Sequence, residues 1–361
     1  MLRRRAYAVL PALLLTAAAA APAAAGTAPE QPAAAAGSDA PVRFLTYNIC
    51  GNSPSTEDCS ATREVEKRRD AVVGLARGGK ADFVFLQEVC SQQFETIGRA
   101  LEGDGYGGHF VETFRRPGVC DVKGADGTVT QGVYGIAVYA KGPLTPGESV
   151  TIDPDDDYTR AYSGPEAWHA ACVEAEIRGR KTRGCSVHLY PQYDGKPPDI
   201  NARQAANLAA HPWLDAGTPV VLGGDFNPLH RTDTIPDRST SPRSTDLDPF
   251  YRPELGGHGR LMEVDETDPA RFDATCKATA PRPRACRSGE PTHVRPSAEV
   301  KEAKLDYLFV DRDHFGNVRG DALPRDSEIS DHYPLVGSAT VAHGDDEQRQ
   351  PDEQRQPDGQ R

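Results

Sequence analysis

A chain of 361 residues with 53 acidic against 41 basic side chains carries a formal charge of −12, which opposes the long-range approach of polyanions and counts against tight nucleic-acid binding. It does not exclude a metal-dependent enzyme that meets its substrate briefly. Apart from the first residues, no apolar run approaches membrane-spanning length, which excludes a polytopic membrane protein.

The opening stretch, MLRRRAYAVLPALLLTAAAAAPAAAG, has an Arg-rich start, an apolar run broken by Pro11 and an Ala-rich end with A-x-A character. It predicts a secretory signal over residues 1–25, cut near Ala25, and hence a secreted, extracellular product. The second half of the run is Ala rather than Leu or Ile, so a membrane anchor is the weaker reading. Arg3, Arg4 and Arg5 leave general and twin-arginine export both open. Losing those three charges and no acid takes the mature chain from −12 to −15. Residues 26–40 are an Ala/Pro-rich linker. Residues 342–361, where EQRQPD repeats, offer almost nothing apolar to bury and predict a disordered polar tail.

The stretch between, 41–341, is long enough by itself for two domains. Its interior shows short apolar runs in the order VRFLTYNI, ADFVFLQEV, GVYGIAVYA, ACVEAEI, GCSVHLY, PVVLGGDFN and KLDYLFV, each strand-length and bounded by turn residues. Helical patterns lie between some of them, most clearly REVEKRRDAVVGLARG before the second run and INARQAANLAAHPWL before the sixth. Strands buried on both faces, interspersed with helices, predict stacked sheets with helices outside, an α/β sandwich.

All eight cysteines lie beyond the signal, and an even count in an exported chain predicts disulfides. No pair has CxxC spacing, so a structural zinc site has little support. Their order suggests local clips: Cys50 with Cys59, Cys90 with Cys120, Cys172 with Cys185, and Cys276 with Cys286. The third is the best argued, because a turn at Arg178 and Gly179 sets Cys172 opposite Cys185 on two paired strands.

Polar residues mark the ends of these runs. In VVLGGDFNPLH the strand closes on Asp225 and Asn227, which on extended backbone point the same way while Phe226 turns inward. The competing reading is a strand followed by an Asx-type turn. Asn48 closes TYNI, Glu88 lies in LQEV, His188 in VHL, and Asp331 and His332 in SDHYP. Singly, these read as a turn Asn, a solvated acid, a satisfied His and a loop; jointly, they describe a site at strand ends.

The ordered set TYNI, LQEV, VHL, GDFN, LDYLFV and SDHYP resembles the endonuclease/exonuclease/phosphatase superfamily, which includes DNase I, AP endonucleases, bacterial sphingomyelinases and inositol polyphosphate 5-phosphatases. The resemblance spans about residues 42 to 337. It implies one catalytic domain over 41–341 with a four-layered α/β sandwich. It also implies a metal-dependent phosphoesterase using Mg2+, with Mn2+ or Ca2+ as alternatives. By the same resemblance Glu88, Asn48 and Asp331 hold the metal, Asp225 and Asn227 orient the attacking water and a phosphate oxygen, and Asp306 partners His332. His188 matches the second histidine of the DNase I and sphingomyelinase branches. One histidine then serves as base and the other as acid, in an order left open. Glu88 is a hard oxygen ligand of the kind Mg2+ takes, and an imidazole held by an acid keeps one tautomer and tolerates positive charge.

Some positions depart from the family. The 5-phosphatase hallmark before the late strand is absent, since Lys304, Leu305, Asp306 and Tyr307 stand there. Where DNase I places a phosphate-contacting arginine, Trp168 and His169 occur, with His169 a candidate replacement. The acidic DPDDDY at 153–158 lacks the Gly and final Glu of an EF-hand and reads as a solvated loop. The expected activity is phosphodiester hydrolysis, most directly of nucleic acid by a non-specific nuclease acting as a monomer without a stable protein partner. A lipid head group, as in sphingomyelin or a phosphoinositide, is the alternative substrate. A secreted binding protein that kept the fold and lost the chemistry is the alternative of another class.

Overall fold

Runs of Val, Phe, Leu and Tyr too short for core helices form the strands of two six-stranded sheets in the computed structural model. The structure describes residues 40–342 except 53–58, 60–63, 125, 192–198, 216, 229–243, 267–282, 288 and 295–301. The predicted signal, all but the last residue of the linker, and the tail beyond 342 lie outside the described residues.

In chain order the strands are β1 (Val42–Asn48), β2 (Phe83–Cys90), β3 (Tyr106–Phe114), β4 (Val122–Lys123), β5 (Val129–Thr130), β6 (Tyr134–Lys141), β7 (Glu148–Thr151) and β8 (His169–Ile177). They continue with β9 (Arg180–His188), β10 (Val220–Asp225), β11 (Leu261–Glu263), β12 (His293–Val294), β13 (Glu302–Ala303), β14 (Asp306–Asp311), β15 (Phe315–Ala322) and β16 (Leu335–Val341). The helices are α1 (Val65–Gly79), α2 (Ser91–Glu102), α3 (Asp157–Tyr162) and α4 (Ile200–Ala209). One sheet runs β15-β16-β1-β2-β6-β3 and the other β11-β14-β10-β9-β8-β7. Each has one parallel pair at its centre, β1 with β2 and β9 with β10, among antiparallel neighbours. The two parallel pairs end at Asn48 with Gln87 and at Asp225 with His188.

Alternation along the strands divides the core into layers. Phe83 and Phe85 of β2 pack between the sheets with Phe44, Val173, Val221 and Leu308. Val84 and Leu86 point the other way, under Val72 and Val73 of α1 and Ile97 and Leu101 of α2. Leu222 and Phe309 face outward from the second sheet, under Ile200, Ala205 and Leu208 of α4. Helices, sheet, sheet and helices make the four-layered α/β sandwich that the resemblance implied.

The two glycines of VVLGGDFN are explained by this packing. A Cβ on Gly223 would lie 2.4 Å from the Phe85 ring of the facing sheet, and one on Gly224 would lie 1.9 Å from the Val187 carbonyl of β9. Gly223→Ala is therefore expected to cost about 1–3 kcal/mol through overpacking between the sheets, read as a lower urea midpoint at unchanged m-value. A loss below the scatter of replicate melts would show that the sheets separate freely there.

Three predicted clips form: Cys50–Cys59, Cys90–Cys120 and Cys172–Cys185. The last joins directly opposed residues of β8 and β9, and Arg178 and Gly179 both take positive φ in the connecting turn, as expected from the sequence. The Cys276 pairing lies outside the described residues. DPDDDY is not simply a solvated loop. Asp156 caps α3 by accepting from Thr159 N at 2.7 Å, and Gln204 Nε2 donates to Asp153 Oδ1 at 2.6 Å, so two of its acids tie α3 and α4 to the second sheet.

Candidate active site

Glu88 reaches the site because β2 is irregular. Plain alternation would send it after Val84 and Leu86 into the helix layer. Between Leu86 and Val89 the pairing with β6 slips, and Glu88 adopts φ of +56°. A bulge of this kind re-aims a side chain, and the left-handed backbone at a non-glycine residue is a cost that the surrounding structure must hold in place.

Asn48, at the end of β1, lies between two carboxylates. Its Nδ2 donates to Glu88 Oε1 at 3.2 Å and to Asp225 Oδ2 at 3.2 Å, while its Oδ1 accepts from Cys50 N at 3.1 Å. The side chain therefore presents donors to the cluster and spends its oxygen on the backbone. Asn48 thus bridges Glu88 and Asp225 at the end of β1.

Asp225 Oδ2 is the centre of the cluster. His188 Nε2 lies 3.7 Å from it and His332 Nε2 lies 3.6 Å from it. His332 Nδ1 donates to Asp306 Oδ2 at 2.7 Å, so the predicted dyad is formed and Nε2 is directed at Asp225. Asp306 starts β14 directly opposite Asp225 in the ladder. Ser330 ties the last segment to the first: its hydroxyl donates to Asn48 O at 2.7 Å and accepts from His332 N at 3.0 Å.

Of the two readings of GDFN, the turn is the one formed. Asn227 N donates to Asp225 Oδ1 at 3.0 Å, an Asx turn, and Asn227 has φ of +41°. Its Nδ2 donates to Leu189 O at 3.1 Å, so the chain is not extended there and Asn227 does not share Asp225's direction by simple alternation. The buried Asn201 of α4 fixes the turn by donating to the carbonyls of Phe226 and Asn227. His169 Nδ1 lies 3.4 Å from Thr151 Oγ1, with the charge of Asp153 nearby.

Burial and mutual charge set the protonation of these groups. Burial and the neighbouring Asp306 push Asp225 up to about 6 against the pull of His332 and His188. Burial opposes a charged His332, but Asp306, Asp225 and Asp331 outweigh it and hold the imidazole at about 10. Burial likewise opposes ionisation of Asp331, yet the bond to His293 and the charge of His332 hold it at about 2. Glu88 is raised by burial and by the charge of Asp331. A pair of titratable groups pushed apart in this way, acid against imidazolium, is typical of sites that move protons.

The sequence matches the model of the Endonuclease/Exonuclease/phosphatase family over residues 45–332. The chain belongs to that family. Among solved structures, the human Nocturnin catalytic domain with bound sulfate anion is similar at 20% identity and TM-score 0.54, covering 84% of this chain and 94% of that one. An endonuclease/exonuclease/phosphatase from Bacteroides vulgatus aligns at 18% identity and TM-score 0.54 over 84% of this chain and 100% of its own. Truncated Caenorhabditis elegans TDP2 aligns at 14% identity and TM-score 0.52 over 83% and 98%. At such identities the likeness is one of fold. No curated protein sequence matches the chain.

Members of the endonuclease/exonuclease/phosphatase family are hydrolytic phosphoesterases, typically dependent on a divalent metal, and the residues here fit one. Glu88 and Asp331 are carboxylates that raise each other's cost of ionisation, and a cation beside oxygen donors relieves that repulsion. Three further residues at the site escaped the sequence reading. The Tyr134 hydroxyl hydrogen-bonds Glu88. Glu166, whose Oε1 accepts from Thr113 Oγ1 at 2.7 Å, interacts by charge with His188 and Glu88. His293 pairs with His332 through an isolated β-bridge. Nothing in GVYGIAVYA, SGPEAWH or EPTHV marks these residues, because each is brought in from a strand edge or loop that ends no apolar run.

Proposed function

We propose that the chain is an exported, Mg2+-dependent phosphodiesterase, acting as a monomer on extracellular DNA or RNA with little sequence preference. The observation that carries the reading is the convergence of two histidine Nε2 atoms on one buried carboxylate, Asp225, with Glu88 and Asp331 alongside. The separations of 3.6 and 3.7 Å exceed a hydrogen bond and leave both Nε2 atoms facing Asp225 as ion-pair partners.

In this reading Glu88 and Asp331 hold the metal, which when bound withdraws charge from the phosphate and acidifies water. Asp225, near neutrality, accepts the proton of the attacking water. Asp306 fixes the His332 tautomer through Nδ1, leaving the imidazolium to stabilise charge developing on the phosphate oxygens. Asn48 holds Glu88 and Asp225 in register, and His188 is the second acid–base group. Three disulfides suit an oxidising compartment, and no helix among the described residues is long and apolar enough to cross a membrane.

A lipid head group is the second reading. It is favoured by the β4–β5 hairpin, where Val122 and Val129 are 39% and 57% exposed, beside a cavity lined by Gly51, Asn52, Gln92 and Cys120. A panel of plasmid DNA, RNA, sphingomyelin, phosphoinositides and a chromogenic phosphodiester separates the two. Cleavage of DNA or RNA in millimolar Mg2+, abolished by EDTA and slowed by added salt, is expected. Intact nucleic acid with release of phosphocholine or inorganic phosphate would give the second reading the site.

A further inference from the structure

We propose that His293, Asp331 and His332 form a site for a borderline-soft divalent cation of the Zn2+ class, distinct in donor type from the carboxylate pair that suits Mg2+. One donor atom from each of the three lies within 4.8 Å of the others. His293 Nε2 is 3.5 Å from Asp331 Oδ2, and His332 Nε2 is 4.0 Å from Asp331 Oδ1. Tetrahedral Zn2+ with bonds near 2.0–2.1 Å sets its ligands about 3.3 Å apart, so the 3.5 and 4.0 Å separations must close by rotation of Asp331 and the two imidazoles.

The backbone already holds the three together. His293 and His332 are bridge partners with ring centroids 4.5 Å apart, and Val294 N donates to Asp331 O at 3.0 Å. Tyr333 N donates to Thr292 O at 2.7 Å, while Thr292 Oγ1 accepts from the amides of Leu305 and Asp306. His332 also has the outer partner that metal-bound imidazoles have: Nδ1–H donates to Asp306, so Nε2 is the nitrogen an ion would take, displacing the proton it carries. Asp225 and Asp331 beside Nε2 favour any positive charge there, whether carried by a proton or a metal. The side chain of Asp331 is 35% exposed and that of His293 14%, so an ion can arrive from solvent and keep water as its remaining ligand. Two imidazoles and a carboxylate select Zn2+ over Mg2+, which prefers oxygen.

Occupation consumes His332 Nε2. If the phosphoesterase reading holds, an ion of this class therefore inhibits turnover, in competition with Mg2+ for Asp331. That consequence rests on the proposed function; the site itself does not.

The test is calorimetric titration of untagged, metal-free protein with ZnCl2 in the absence of MgCl2, paralleled by the visible absorption of added Co2+. About one equivalent of Zn2+ should bind, with affinity at least about tenfold weaker in His293→Ala and in His293→Phe, and intense Co2+ bands of low coordination number should be lost in both variants. The Phe variant keeps an aromatic ring against His332, and matching melting curves exclude misfolding as the cause. Zinc affinity unchanged in His293→Phe overturns the site. Zinc that binds as expected yet leaves phosphodiester turnover intact keeps the site and removes His332 from the chemistry.

Discussion

His332→Ala is expected to lower the rate of the chemical step by about 10^2 to 10^4-fold, the range for losing one acid–base group, with substrate affinity nearly unchanged. The imidazole is 4% exposed and is held between Asp306 and Asp225, so no solvent group can replace it. Asp306→Asn should lose much of the same factor, because an amide can donate to Nδ1 and stabilise the wrong tautomer. The double variant should then be little worse than His332→Ala alone, since residues that act as a unit are not additive. Single-turnover kinetics on the substrate found by the panel reads this directly. A change confined to KM would make His332 a binding residue.

Arg68→Met should cost about 3–5 kcal/mol, the scale for stripping one side from a buried, hydrogen-bonded charge. Arg68, on α1, has no exposed surface. Its Nε donates to Ile49 O at 2.7 Å, and its Nη2 to Cys50 O at 3.0 Å and Ile329 O at 2.9 Å. Burial pulls the guanidinium down to about 10, so the charge is itself a cost. What the variant loses is three carbonyls' worth of donors in a place water cannot reach. Those carbonyls border Asn48 on one side and Asp331 on the other, and activity per folded molecule should fall as well. Arg68→Lys should rescue little, because one ammonium cannot span the planar fork's targets. A urea-unfolding loss below about 1 kcal/mol would show that the two segments hold together without Arg68.

The site was legible where residue type and strand position coincide. Glu88, His188, Asp225, Asp306, Asp331 and His332 converge because strands whose ends carry them lie side by side at the centres of two sheets. The strands read from Val, Phe and Leu runs are the doubly buried ones. The edge strands β3 and β15, and β16 beside the latter, are not legible: YGGHFVETF, FGNVRGDA and LVGSATV dilute the apolar signal with Gly, Asn and Ser, and one face of each needs little burial. Helix α2 begins at Ser91 directly after β2, with Cys90 as its cap paired to Gln93, so no polar cap separates strand from helix. The orientation of Asn48 is not legible because sequence gives an amide no direction, whereas two carboxylates on one side and the Cys50 amide on the other set it. His293 and Glu166 arrive by tertiary contact alone.

The disulfide between Cys50 and Cys59 stands beside the chemistry: Cys59 Sγ lies 3.5 Å from Asp331 Oδ1, and Cys50 N is the donor that orients Asn48. Both half-cystines have left-handed backbone, which the crosslink helps to keep. A thiol reductant in a routine assay buffer is therefore expected to act on the proposed site and not on a remote staple. Protein matured where glutathione keeps cysteines reduced should fold its sheets and yet hydrolyse poorly, recovering as oxidant is supplied. The maturation history of a preparation, and not its concentration alone, would then set its specific activity.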